Sequence, residues 1–168
     1  MENENLTLAA SQLDRTLSFF PRVDGKVSWL FAINTGMLGL SSLNIKPEDL
    51  RLWYVGVPAT ITAITIGVSM FFLYRCSFPH LEGGKASLFY FREIARRTES
   101  NYIQEFASAS AEQRTRDLLG QVWRNAEILN IKFDAVRISF FLTAVAIIPW
   151  CWFLASVSLV HTQVPTVK

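Results

Sequence analysis

Charge is scarce in this chain of 168 residues: Asp, Glu, Lys and Arg make up 18%, against roughly 25% in an ordinary soluble domain. Cysteine is scarcer still, and Cys76 and Cys151 stand too far apart in sequence for a disulfide scaffold. There is no phosphate-binding glycine loop, because Gly83-Gly84 lacks both the spacing and the flanking strand. The opening residues, MENENLTLAASQLDRT, carry acids where a signal peptide has a basic segment, and no apolar run follows. Disorder is excluded by a hydrophobic share of 51% and a net charge of only +2. The length allows one compact domain with small appendages.

What is present is apolar length. Mean hydropathy is +0.26, and a membrane-crossing helix needs roughly 20 mostly apolar residues. Leu52–Tyr74 and Ile138–Val160 contain no charge at all. Val27–Ile45 is also free of charge but carries Asn34, Ser41, Ser42 and Asn44. Neither of the first two runs has the polar face of a soluble helix, and a domain this small cannot bury both on every side. The expectation is an all-α membrane protein with three spans, the first acting as its own insertion signal.

The bases set the orientation. Arg15, Arg22 and Lys26 precede the first span, Lys46 and Arg51 lie between spans one and two, and only Lys168 follows the third. The other ten lie between spans two and three, so that segment is expected in the cytoplasm. The N-terminus is then inside and the C-terminus outside an inner membrane. The expected organisation is an amphipathic segment 1–26, a two-span hairpin 27–75, a cytoplasmic helical segment 76–137, a third span 138–160 and an external tail 161–168. Trp150 and Trp152 fall past the middle of the last span, where they pack between helices or mark its early end.

In the cytoplasmic segment, Pro79 and Gly83-Gly84 stop the second span. Ala86–Arg97 reads as a helix with Leu88, Phe91, Ile94 and Ala95 on one face. A short helix is expected over Glu99–Phe106. Ser110-Ala111-Glu112-Gln113 has the pattern of a capping box. From Ala111 a stripe of Leu118, Val122, Ala126, Leu129, Phe133, Val136 and Phe140 predicts one helix continuous into the membrane, about 70 Å long, with a kink at Pro149. Leu6–Phe20 reads as an amphipathic helix ended by Pro21.

Chemistry for catalysis is lacking. His80 and His161 fall on opposite sides of the expected membrane, so they form no metal pair or triad. The acids are scattered among bases, as on a solvated helix surface. Arg92, Arg96 and Arg97 cluster, as do Arg114 and Arg116, and two readings stand: positive-inside charges with surface pairs, or a site for a small anion. Guanidinium forks and the helix start at Ser110–Gln113 suit phosphate. Phe89, Tyr90, Phe91 and Tyr102 can stack on a base or pack a core. Asn34 and the stripe Thr62, Thr65 and Ser69 either join helices, with Gly36, Gly39 and Gly67 allowing close approach, or line a water path.

Three motifs then point to a family. Asp24-Gly25-Lys26 precedes Trp29-Leu30-Phe31-Ala32-Ile33-Asn34; Ser87-Leu88-Phe89-Tyr90-Phe91-Arg92-Glu93-Ile94-Ala95 precedes Tyr102; Gln121, Asn125 and Lys132-Phe133 precede the last span. Their order resembles the Pycsar transmembrane effector (PycTM) family of bacterial anti-phage defence, from about Leu13 to Val160, departing from its pattern at Phe91–Glu93. The resemblance implies an effector, not an enzyme, with no resident cofactor. It implies sensing of a cyclic pyrimidine mononucleotide, cCMP or cUMP, made by an adjacent nucleotide cyclase, followed by membrane impairment and abortive infection. Its partners are the lipid bilayer, that messenger and further copies of the chain, with no nucleic acid. On this reading Tyr90, Arg92, Arg96, Arg97, Tyr102 and Arg114 bind the ligand, while Asp24, Lys26, Asn34, Gln121, Asn125 and Lys132 are motif residues. The alternatives are a ligand-independent, holin-like toxin and a non-toxic membrane scaffold.

Overall fold

The computed structural model describes residues 2–78 and 84–163. Most of the expected loop SFPHLEGGK and the end of the expected external tail, with Pro79, His80, Gly83 and Lys168, lie outside the described residues. The described chain is helical, with no strand: α1 Glu2–Leu17, α2 Phe19–Asn44, a 3-10 turn Asp49–Arg51, α3 Trp53–Ser77, α4 Phe91–Ala95, α5 Glu99–Ser108 and α6 Ala111–Gln163. Pro21 does not end a helix, as expected from sequence, but falls in the first turn of α2, where its missing N–H has no partner to lose.

α6 runs unbroken for 53 residues and continues past Pro149. Its start is the expected capping box: the Ser110 N–H donates to Gln113 Oε1 at 2.9 Å, and the Gln113 N–H donates to Ser110 Oγ at 3.1 Å. α4 is much shorter than the helix expected over Ala86–Arg97. The reason is local: Ser87 Oγ accepts from the N–H groups of Phe89 and Tyr90, both at 3.1 Å, a turn that competes with helix. Tyr90 is consequently extended, and the helix begins after it.

Two helices among the described residues, α3 and α6, are long and apolar enough to cross a membrane, not the three expected. Val27–Ile45 falls short because Asn34, Ser41, Ser42 and Asn44 dilute its apolar content.

The chain divides into two compact units. The first comprises Met1–Val23 and Pro79–Lys132; the second comprises Asp24–Phe78 and Phe133–Lys168. α6 contributes to both. In the second unit α2, α3 and the C-terminal half of α6 meet around Met37, Ile66 and Ala146, and around Val55, Phe153 and Val157. Trp150 joins them, its indole N–H lying 3.2 Å from the Met37 carbonyl and 3.1 Å from Ser41 Oγ, whereas Trp152 is exposed. The glycines expected at close approaches, Gly36, Gly39 and Gly67, face open space. The position that needs glycine is Gly56, where a Cβ would lie 2.5 Å from the Leu50 carbonyl oxygen.

Candidate functional site

In the first unit the segment after residue 84 is organised by two side chains. Ser87 is buried; besides capping Phe89 and Tyr90, its hydroxyl accepts from the Gln121 amide at 2.9 Å and donates to Asp117 at 3.0 Å. Asp117 also accepts from the Leu88 N–H at 2.7 Å. Arg97 is the second organiser. Its Nε donates to Glu105 at 2.7 Å, Nη1 to the carbonyls of Ser87 and Glu93, and Nη2 to the carbonyl of Ala86. Between them Ala86 is held at φ 61°, a left-handed conformation costing about 1–2 kcal/mol for a residue with a Cβ.

Glu93 completes this clasp. Its carboxylate accepts from the Ala86 N–H at 2.9 Å and pairs with Arg96. The Ala86 donor holds the Glu93 carboxyl below its ordinary pKa, helped by Arg96 and opposed by desolvation. Tyr102 donates to the Leu88 carbonyl at 3.2 Å and leans its ring on Phe106. Arg114 lies over the same Phe106 ring, with its Nε buried and without a hydrogen-bond partner. Tyr90 packs edge-on against Phe91, and Arg92 on α4 and Arg96 just past its end are exposed.

A cleft of about 700 Å³ opens beside this clasp, lined by residues of 85–88, the end of α5 and one face of α6. Its charged side chains are Lys85, Glu105, Arg116, Asp117 and Arg124. None of the six residues expected to bind ligand lines it. Arg97 and Tyr102 hold the backbone of 86–88, the Tyr90 N–H is capped by Ser87, Arg96 pairs with Glu93, Arg92 is exposed and Arg114 lies on Phe106. Sequence reasoning passed over Ser87 as an organiser, and over Asp117 and Arg124 altogether as site residues. A signal for them existed: Asp117, Gly120, Gln121 and Arg124 recur at helical spacing on one face of α6.

The motif residues divide between the units. In the first, Gln121 holds Ser87, Asn125 donates to the Gln121 carbonyl at 2.8 Å, and Lys132 is buried with its ammonium 5.6 Å from the Phe20 ring. In the second, Asp24 is exposed and Lys26 lies 5.6 Å from the Phe133 ring.

Asn34 is fully buried and builds a polar core in that unit. Its amide donates to Ser69 Oγ at 3.0 Å, and its Oδ1 accepts from the Thr143 hydroxyl at 3.1 Å. Ser69 meets Ser139 and Thr143 as well. Thr62 is buried nearby in α3 with its hydroxyl unpartnered. At the far end of α6, His161 lies 3.1 Å from Asp49. The Lys46 N–H lowers the pKa of that carboxyl most, and His161 lowers it further.

Residues 8–159 match the family model described as the Pycsar effector protein domain (PycTM). No curated protein and no solved structure gives a match. The family match spans nearly the whole chain, and the chain belongs to the Pycsar effector family: it is a membrane effector of a cyclic-nucleotide anti-phage system, an effector and not a catalytic domain.

Proposed function

From that membership, we propose that the chain senses cCMP or cUMP on the cytoplasmic side and then impairs the inner membrane, arresting or killing the cell before phage matures. The observation that carries this reading is an inversion in the second unit. Asn34, Ser69 and Ser139 are fully buried, while Trp29, Leu43, Phe140, Phe141 and Ile148 are exposed. Water would favour the reverse; lipid favours apolar side chains outside and hydrogen-bonded polar ones within.

The same logic supports α2 as a third span. Hydropathy penalises each polar side chain, yet here Ser41, Ser42 and Asn44 donate to backbone carbonyls of their own helix, and Asn34 is satisfied by α3 and α6. With three spans the N-terminus and the first unit are cytoplasmic and the chain ends outside, as the positions of the bases require.

The first unit then faces the compartment where the messenger is made. Its arginines suit a phosphate and its tyrosines a pyrimidine ring. A ligand changes the equilibrium between helix arrangements only by its preference for one of them. α6 is the natural carrier, since its backbone continues from Arg114 through Val160. Assembly of several copies through their exposed apolar faces would bring the polar cores together in the bilayer.

The test is membrane leakage and potential in cells expressing the chain, with and without a pyrimidine nucleotide cyclase. Damage is expected only with the cyclase. Damage without it identifies a ligand-independent toxin, and no damage in either case identifies a scaffold; both refute the proposal.

A further inference from the structure

Among the described residues of the first unit, two arginines hide a donor without a partner, Arg114 and Arg124; Arg114 lies over the Phe106 ring, and Arg124 lines the cleft. The Arg124 Nη1 is shielded from solvent and has no hydrogen-bond partner. A guanidinium carries five N–H donors and stays ionised, so hiding one edge without an acceptor is costly. The backbone makes room for this group. A Cβ on Gly84 would collide with Nη1 and Cζ, and one on Gly120 would touch Nη2 at 3.5 Å. Glycine on both sides leaves the guanidinium bordered by bare main chain.

Arg124 lines the 700 Å³ cleft together with Lys85 and Arg116. Two carboxylates line it too, but both already accept hydrogen bonds, Glu105 from Arg97 and Asp117 from Ser87 and Leu88. Lys85, Arg116 and Arg124 form no ion pair among the described residues. Three cations without a paired anion, one of them half-buried with a shielded Nη1 that lacks an acceptor, mark a place prepared for a negative group.

We propose that this cleft is a phosphate-ester site, with Arg124 as the half-buried fork, Arg116 and Lys85 closing on the anion from the rim, and Gly84 allowing its approach. The identity of the ligand as a cyclic mononucleotide rests on the function proposed above; the anion site rests on the cleft. An anionic lipid headgroup offers the same chemistry, and the experiment separates the sources.

Full-length protein in detergent is titrated by calorimetry with cCMP, cUMP and inorganic phosphate, and in nanodiscs with and without phosphatidylglycerol. The variants are Arg124→Gln, Arg116→Gln and Lys85→Gln in the cleft, Arg92→Gln and Arg96→Gln outside it, and, as an exposed control on α1, Arg15→Gln. A pyrimidine cyclic nucleotide should bind, and Arg124→Gln and Arg116→Gln should each weaken it by roughly tenfold or more, the loss of a charge-assisted contact; Arg15→Gln should leave it within about twofold, as for a distant exposed charge. Binding of phosphate or phosphatidylglycerol alone, with the same dependence on Arg124, keeps the cleft and removes the nucleotide. Nucleotide binding that ignores Arg124 and Arg116, or that is lost instead in Arg92→Gln or Arg96→Gln, overturns the cleft and keeps the sensor. Absence of all binding overturns both. Should Arg124→Gln fail to fold, judged by its helical circular dichroism, Arg116→Gln and Lys85→Gln decide.

Discussion

Asn34 and Ser69 lie 35 residues apart in sequence and are joined by a 3.0 Å hydrogen bond from the amide of one to the hydroxyl of the other. Both are completely buried, and Ser139 and Thr143 close the group from α6. Three helices are thus tied at one level by polar side chains, surrounded by apolar ones that point away. This arrangement tells lipid from water as the surrounding solvent.

Asn34→Leu should destabilise the second unit by about 1 kcal/mol, the typical size of a hydrogen bond between helices in a membrane. The loss comes from stranding Ser69 and Thr143, since leucine itself is welcome in hydrocarbon. Unfolding by a denaturing detergent in mixed micelles reads it directly. A leucine variant as stable as the parent would mean that the polar core contributes nothing to holding the helices together.

Ser87→Ala removes four hydrogen bonds at one atom and leaves Gln121 buried without its partner. The expected loss is about 1–3 kcal/mol, the cost of leaving such groups unsatisfied. It should be local. Trypsin is expected to cut after Arg92, Arg96 or Arg97 faster than in the parent, while cleavage at Arg15 is unchanged. Equal rates at both places would show that Ser87 does not organise the segment.

What sequence could reveal followed from how locally each feature is encoded. Charge-free length marks α3 and the end of α6, and the Ser110–Gln113 box marks the start of α6, because each lies within a few residues. The inward face of α6 was harder. Leu118, Leu129 and Val136 of the expected stripe are buried, but so are Gln121, Lys132, Ser139 and Thr143, while Phe133 and Phe140 are exposed; an apolar stripe cannot mark a face built partly of polar side chains. Ser87 shortened α4 through its own neighbours Phe89 and Tyr90, but it is held in place by Asp117 and Gln121, about thirty residues away, which no local propensity contains. Arg124 carried no mark beyond its spacing from Asp117 and Gly120, since its burial depends on Gly84 meeting it in space.

Glu93 makes the clasp sensitive to acid. Its folded pKa is lowered, first by the Ala86 N–H and then by Arg96. Its contribution to stability is therefore complete above the unfolded value, about 4.3, and fades as pH falls through the lowered folded value. Melting curves of the parent and Glu93→Gln should differ most near neutrality and converge in acid. A gap that widens on acidification would contradict the assigned direction.

The two cysteines report on the solvent around the second unit. Cys76 is buried and Cys151 lies exposed on α6. If lipid covers that surface, the Cys151 thiol faces hydrocarbon, which a charged maleimide does not enter. In native membranes neither cysteine should label, and both should label once the chain is denatured. Two added cysteines supply the sides: Thr162→Cys, at the exposed end of α6, should label in intact spheroplasts, and Lys85→Cys only after the membrane is opened. Labelling of Cys151 in native membranes as fast as Lys85→Cys would place that face of α6 in water and overturn α6 as a lipid-covered span.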